Sequence, residues 1–296
     1  MALLAPPAFS CELAWRDRVQ QLTAKVQGEG AAIAVVAAHS KVGSPWLINL
    51  AGDRYFVPAS LVKLFTTAAA LELFQPDFRI STRLWGSGVN NGRVDRLILE
   101  GNGDPSFNSA QLRRLVQQLT QAGIKRVGTI QLRDRLAAQL PSGWEWQDLV
   151  AEYGAVPHGL VINFNALAWQ VQPGKHLGDR VIFRWQTPEL ATGWQVENRA
   201  LTVEQGGQIE VERQLDQPKL TITGSLALND GGEQGATVVL DPRANFQGHL
   251  ELELKRQGIW LESELAPQPE PNSKHPPEQI LAVVYSPRLK ELVSTT

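Results

Sequence analysis

The sequence predicts an α/β (α+β) protein, discontinuous in its outer domain, with a large strand-rich insert. Three observations predict it. At the front, "ELAWRDRVQQLTAKVQ" sets Trp15, Val19, Leu22 and Val26 at spacings of 4, 3 and 4, one face of a helix, and "AAIAVVAA" and "PWLINLA" follow as strands. From Arg79 to about residue 240 the texture changes to short apolar runs with turns between them. The chain then returns to a helical stretch, "ANFQGHLELELKRQGIWL", a buried strand, "QILAVVYS", and a helix start, "PRLKELVSTT". Helix and strands at both ends, with strands between, predict one unit interrupted by another.

The elements follow in order. "FVPASLVKLFTTAAALELF" reads as a helix begun at Pro58-Ala59-Ser60 and ended by Pro76. "RISTRLWGSGVNNGRVDRLILEGNGDP" reads as a hairpin turning at Asn91-Gly92. "SAQLRRLVQQLTQAGI" is a helix stopped by Gly123. Runs such as "VGTIQLR", "LAWQVQP", "RVIFRWQ" and "KLTITGSLAL" supply the strands of the insert. The later helix runs to Gly258, and "APQPEPNSKHPP" is an exposed proline-dense loop.

Composition excludes several classes of function. The 296 residues are 43% hydrophobic and 20% charged, ordinary for a globular chain with ample core. The formal charge of −2 offers nothing to nucleic acid or an anionic membrane. Cys11 is the one cysteine, so an internal disulfide and a thiolate metal cluster are both excluded. His39, His158, His176, His249 and His275 are scattered without metal-ligand spacing, and no cofactor is expected. His249, in "HLELEL", alternates with glutamates and reads as part of a solvated face. No apolar run reaches the roughly 18 residues of a transmembrane segment. Leu3 to Phe9 is apolar and ends in small residues, so residues 1–11 read as the tail of a secretory signal without its basic region. That places the protein outside the cytoplasm, periplasmic or secreted.

The chemistry centres on Ser60 and Lys63. A serine hydroxyl needs a nearby base to act as a nucleophile. Positions i and i+3 of a helix are neighbours, so a lysine one turn on reaches the hydroxyl. In a dry, positively charged site the amine loses its proton readily and becomes that base. The helix N-terminus adds N–H groups for an oxyanion. Average composition yields about one S-x-x-K in such a chain, and this chain has one. On the tetrapeptide alone, a serine cap with a solvated lysine reads as well as a reactive pair. Lys63 is, however, a lone charge in a segment otherwise apolar from Leu61 to Leu71 apart from two threonines.

Four segments carry a family resemblance. "PASLVKLFTTAAAL" resembles the active-site helix of the penicillin-recognising serine enzymes. "LEGNGDPSF", "GWEWQDLVAEYGA" and "VVYSPRLKEL" resemble the G-x-G-D-P, W-x-W-x-D-x-x-x-x-Y-G-A and S-P-x-L segments of the class C low-molecular-mass penicillin-binding proteins. These are D-alanyl-D-alanine carboxypeptidases and endopeptidases. All four occur in the family's order, between Trp15 and Val293. The resemblance implies a penicillin-binding/β-lactamase-like serine transpeptidase fold with inserted domains. It implies a peptidoglycan stem peptide as substrate and β-lactam antibiotics as acylating inhibitors, with Ser60 and Lys63 catalytic. It also implies that Asp148 binds an ammonium at the far end of the substrate side chain.

The family completes its site with S-x-N and K-T-G. The sole S-x-N, Ser106-Phe107-Asn108, lies in the G-D-P segment and reads as a turn, and no K-T-G occurs. The chain therefore reads as the front of such an enzyme, impaired or unstable alone. The expected domains are a signal remnant at 1–11, the front of the transpeptidase-like domain at 12–78, inserted domains at 79–240, and an incomplete return at 241–296. The rival from another class is a non-catalytic wall-binding protein that keeps the fold. A Ser-His-Asp hydrolase lacks its G-x-S-x-G.

Overall fold

A computed structural model describes residues 9–28, 32–38, 46–136, 157–262 and 276–294. The chain divides into two compact units, residues 1–68 and 69–296. The first holds helix α1 (Phe9–Gly28) and an antiparallel pair, β1 (Val35–Ala38) and β2 (Trp46–Leu50). A 3₁₀ turn (Ala59–Leu61) then leads into helix α2 (Val62–Phe74), within which the division falls.

The second unit opens with the expected hairpin, β3 (Ser81–Asn90) and β4 (Arg93–Gly101). Asn91 and Gly92 both take positive φ, 45° and 73°. That double left-handed turn matches the strand twist, and Asn-Gly is the pair that adopts it at least cost. Helix α3 (Ser109–Gln121) crosses over to β5 (Arg126–Asp134), which lies parallel to β4. Its start is fixed by a capping box. The Asn108 side chain accepts from the Ala110 and Gln111 N–H groups, and Gln111 Oε1 accepts from the Asn108 N–H. Leu112, Leu115, Val116 and Leu119 form its buried stripe.

Strands β6 (Ala166–Gln172), β7 (Ile182–Trp185), β8 (Gln195–Asn198), β9 (Leu201–Val203), β10 (Ile209–Arg213), β11 (Lys219–Ala227) and β12 (Glu233–Val238) follow. They form a three-stranded sheet, β12-β6-β7, and a second sheet in which β11 pairs with β10, β8 and β9. Helix α4 (Pro242–Arg256), capped by Asp241, precedes β13 (Trp260–Leu261), β14 (Glu278–Tyr285) and α5 (Leu289–Ser294).

β13 and β14 join the first sheet, giving the order β13-β5-β4-β3-β14. Residues on both sides of position 240 therefore share one sheet and one core. Leu97 and Leu99 from the sheet, Leu115 and Leu119 from α3, and Leu250 and Leu254 from α4 meet there. On the opposite sheet face, Glu100 is buried and pairs with Arg83, Arg133 and Arg135. Burial alone would raise its carboxyl pKa, but the hydrogen bonds and charges of Arg135 and Arg133 outweigh that and hold it below the ordinary value.

β14 differs from expectation. It is an edge strand, with Ala282 buried but Ile280 and Tyr285 about half exposed. Its apolar run reads as buried because periodicity records side-chain type and not strand position. Gln118 of α3 covers its outer edge, accepting from the Val283 N–H at 3.1 Å and donating to the Val283 carbonyl at 3.0 Å.

Candidate active site

Ser60 sits in the 3₁₀ turn that precedes α2. Pro58 fixes the approach, and the Leu61 N–H closes the turn onto the Pro58 carbonyl at 2.9 Å. Ala59 takes φ 44°, a left-handed conformation disfavoured for a residue with a Cβ. Such strain beside a chemically competent side chain is common at functional sites. Lys63 lies one turn on, in the first turn of α2. The two threonines of the helix bond back to its own carbonyls, Thr66 to Val62 at 3.2 Å and Thr67 to Lys63 at 2.7 Å.

The surroundings differ from the dry site that an activated lysine needs. Ser60 and Lys63 are both exposed, and no residue of α2 is buried. Leu64 and Phe65 are 66% and 75% exposed, so the apolar stretch that frames Lys63 meets water. Among the described residues the two side chains share no hydrogen bond, and Lys63 makes no ion pair. Asp148 and the W-x-W-x-D segment lie outside the described residues, as do residues 1–8 and most of the proline-dense loop.

Two of the other resembling segments have structural roles. In "LEGNGDP", β4 ends where Gly101 approaches the Gly159 carbonyl too closely for a Cβ, and the Gly103 N–H donates to that carbonyl at 2.9 Å. Asp104 is buried. Burial pushes its carboxyl pKa up, against the Ser106 N–H and hydroxyl that donate to it at 2.9 and 2.7 Å. Ser106-Phe107-Asn108 is the turn into α3, as expected. In "YSPRL", Ser286 is fully buried. Its hydroxyl accepts from the Ile80 N–H at 2.9 Å, and its carbonyl accepts from Arg79 at 2.8 Å. The segment ties the chain's return to the point where β3 begins. Beside it, Arg288 and Lys290 each reach Asp77 at 3.1 Å and hold its carboxyl below the ordinary range.

Sequence reasoning missed one cleft, of about 610 Å³, between the front of α3, the start of β6 and α4. His249 lines it from α4 and is buried, not solvated. The alternating "HLELEL" is a helix, and its period of 3.6 turns His249, Leu250, Glu253 and Leu254 inward together. Neither Ser60 nor Lys63 lines this cleft. No cluster able to hold a metal ion occurs among the described residues, and no helix among them is long and apolar enough to cross a membrane.

Comparison with known proteins bears on this arrangement. The chain is 27% identical over 219 residues to penicillin-sensitive carboxypeptidase A of Dictyostelium discoideum, covering 64% of this chain and 40% of the relative. It is 26% identical over 251 residues to a D-alanyl-D-alanine carboxypeptidase of Actinomadura sp. (strain R39), covering 80% of this chain and 46% of the relative. The chain thus spans less than half the length of these curated relatives. The crystal structure of penicillin binding protein 4 (dacB) from Haemophilus influenzae superposes with a TM-score of 0.68 at 23% identity, over 88% of this chain and 58% of that one. That likeness shows the penicillin-binding fold that the motifs predict. Residues 16–296 match the family model as well, and the chain belongs to the D-Ala-D-Ala carboxypeptidase 3 (S13) family.

Proposed function

We propose that Ser60 is the nucleophile and Lys63 the base of a serine-type D-Ala-D-Ala carboxypeptidase acting on peptidoglycan stem peptides. The observation that carries this reading is the S-x-x-K sequence at the front of α2 in a chain of this family. The Ser60 hydroxyl oxygen adds to the penultimate carbonyl while its proton passes to the neutral Lys63 amine. The C–N bond to the last residue breaks, that nitrogen takes up the proton, and D-alanine leaves. Water then cleaves the ester and frees Ser60. N–H groups at the front of α2 face the developing oxyanion. A lysine in water stays protonated, so the step requires that substrate cover the front of α2 and exclude solvent from Lys63. Asp148 binds the ammonium of the stem-peptide side chain. Such a substrate places the protein in an extracytoplasmic compartment, the periplasm or cell wall.

The 296 residues contain no K-T-G, and their one S-x-N caps α3. A second reading, a wall-binding protein without catalysis, is favoured by the exposed and unbonded Ser60 and Lys63. Intact mass after incubation with benzylpenicillin separates the two. A single adduct that is missing in Ser60→Ala supports the enzyme. A folded chain with no adduct supports the wall-binding reading.

A further inference from the structure

The cleft lined by His249 is walled by Asn163 and Phe164 of the short turn Asn163–Asn165. Three successive residues there, Asn163, Phe164 and Asn165, take φ of 49°, 57° and 53°. Asparagine tolerates this conformation, but a bulky phenylalanine does so at a cost. The bend is held from all sides. The Asn163 N–H donates to the Phe107 carbonyl at 3.0 Å, and its side chain exchanges hydrogen bonds with Ser109 at 3.1 and 2.8 Å. Buried Asn165 accepts from the Ile162 N–H at 3.3 Å and donates to the Leu160 carbonyl at 3.2 Å. The result of this strain is that Phe164 is held 68% exposed at the mouth of the cleft. Strain that holds an aromatic ring in water at the mouth of a cleft points to a ligand for that ring.

The lining indicates the ligand's chemistry. Among the described residues it contains no Asp, Glu, Lys or Arg. His249 is uncharged near neutral pH, because burial and then the Arg256 charge lower its pKa to about 4. A charged ligand would lose its hydration here without a counter-charge. The wall offers neutral donors and acceptors instead: the Gln186 amide and the Thr187 and Ser109 hydroxyls. The His249 Nε2 is buried with no hydrogen-bond partner among the described residues. Ala166, Leu167 and Leu190 give the cleft an apolar floor. Its volume lies in the range of small-molecule sites. Uncharged hydroxyl and amide groups around an exposed aromatic face match a sugar, which presents hydroxyls at its edge and C–H groups on its face.

We propose that this cleft binds a neutral saccharide, with Phe164 stacked on one ring and Gln186, Thr187 and Ser109 pairing with its hydroxyls. Resting on the function proposed above, the natural source is the glycan that carries the stem peptides, so that the wall polymer is gripped at a site distinct from Ser60. The test titrates the full chain with chitotetraose and, separately, cellotetraose, following protein NMR shifts. Binding is expected, weakened about tenfold in Phe164→Ala, the loss of one aromatic contact, and weakened also in Thr187→Val, which guards against a folding defect in the first variant. Preference for chitotetraose assigns an N-acetylated sugar, and equal binding assigns neutral sugars in general. No shift change up to roughly 10 mM, or binding unaltered in both variants, overturns the proposal. The titration needs neither Ser60 nor Lys63. A missing penicillin adduct therefore leaves it standing, and missing saccharide binding leaves the adduct standing.

Discussion

His249 couples stability to pH. An exposed imidazole titrates near 6.5, whereas burial and then Arg256 hold this one at about 4 in the folded chain. The unfolded chain therefore binds the extra proton between those values. Stability from this group is fully present above pH 6.5 and is lost as pH falls through 4. A shift of this size corresponds to roughly 3 kcal/mol across the window. Among the described residues, the other groups lining the cleft carry no charge. Urea unfolding at pH 7 and pH 4.5 is expected to show a smaller difference in His249→Leu than in wild type. An unchanged difference would mean that another group carries the slope. The sequence did not disclose this residue. "HLELEL" satisfies a period of 2 by eye, and only the helix geometry of α4 turns His249 inward.

At the scale of elements, one side chain pairs with the backbone of β14 at Val283. Gln118 satisfies both the N–H and the carbonyl of Val283, at 3.1 and 3.0 Å. Removing it leaves two partly buried backbone groups unpaired, at about 1–3 kcal/mol for each group denied water. Gln118→Ala is expected to lower Tm and to speed amide exchange at Val283, while Gln118→Glu, which keeps the acceptor, retains part of the protection. No change in exchange would show that the edge is held otherwise. The helices and the Asn91-Gly92 hairpin were legible because each depends on neighbours within a few residues. The joining of β14 to β3 was not, since Ser286 and Ile80 meet across 206 residues and periodicity carries no record of such pairing. The same limit led an edge strand to be read as a buried one.

At the scale of the whole molecule, the motifs outperformed composition. Charge and cysteine content excluded partners but named none. Four short segments in a fixed order identified the family that the match over residues 16–296 shows. The structure gives two of them architectural roles: G-N-G-D-P shapes the loop from β4 to α3, and Ser286 fastens the chain's return. The sequence set Ser60 and Lys63 at a helix start, where they lie, but their exposure was not legible, because a run of apolar residues around Lys63 reads as a core. Whether this pair reacts is read from the rate of acylation by benzylpenicillin, with the adduct located by peptide mass mapping. The expected result is an adduct on the peptide containing Ser60, formed about 10²-fold or more slowly in Lys63→Ala, the usual share of a general base. An adduct on any other peptide, or an equal rate without Lys63, would contradict it.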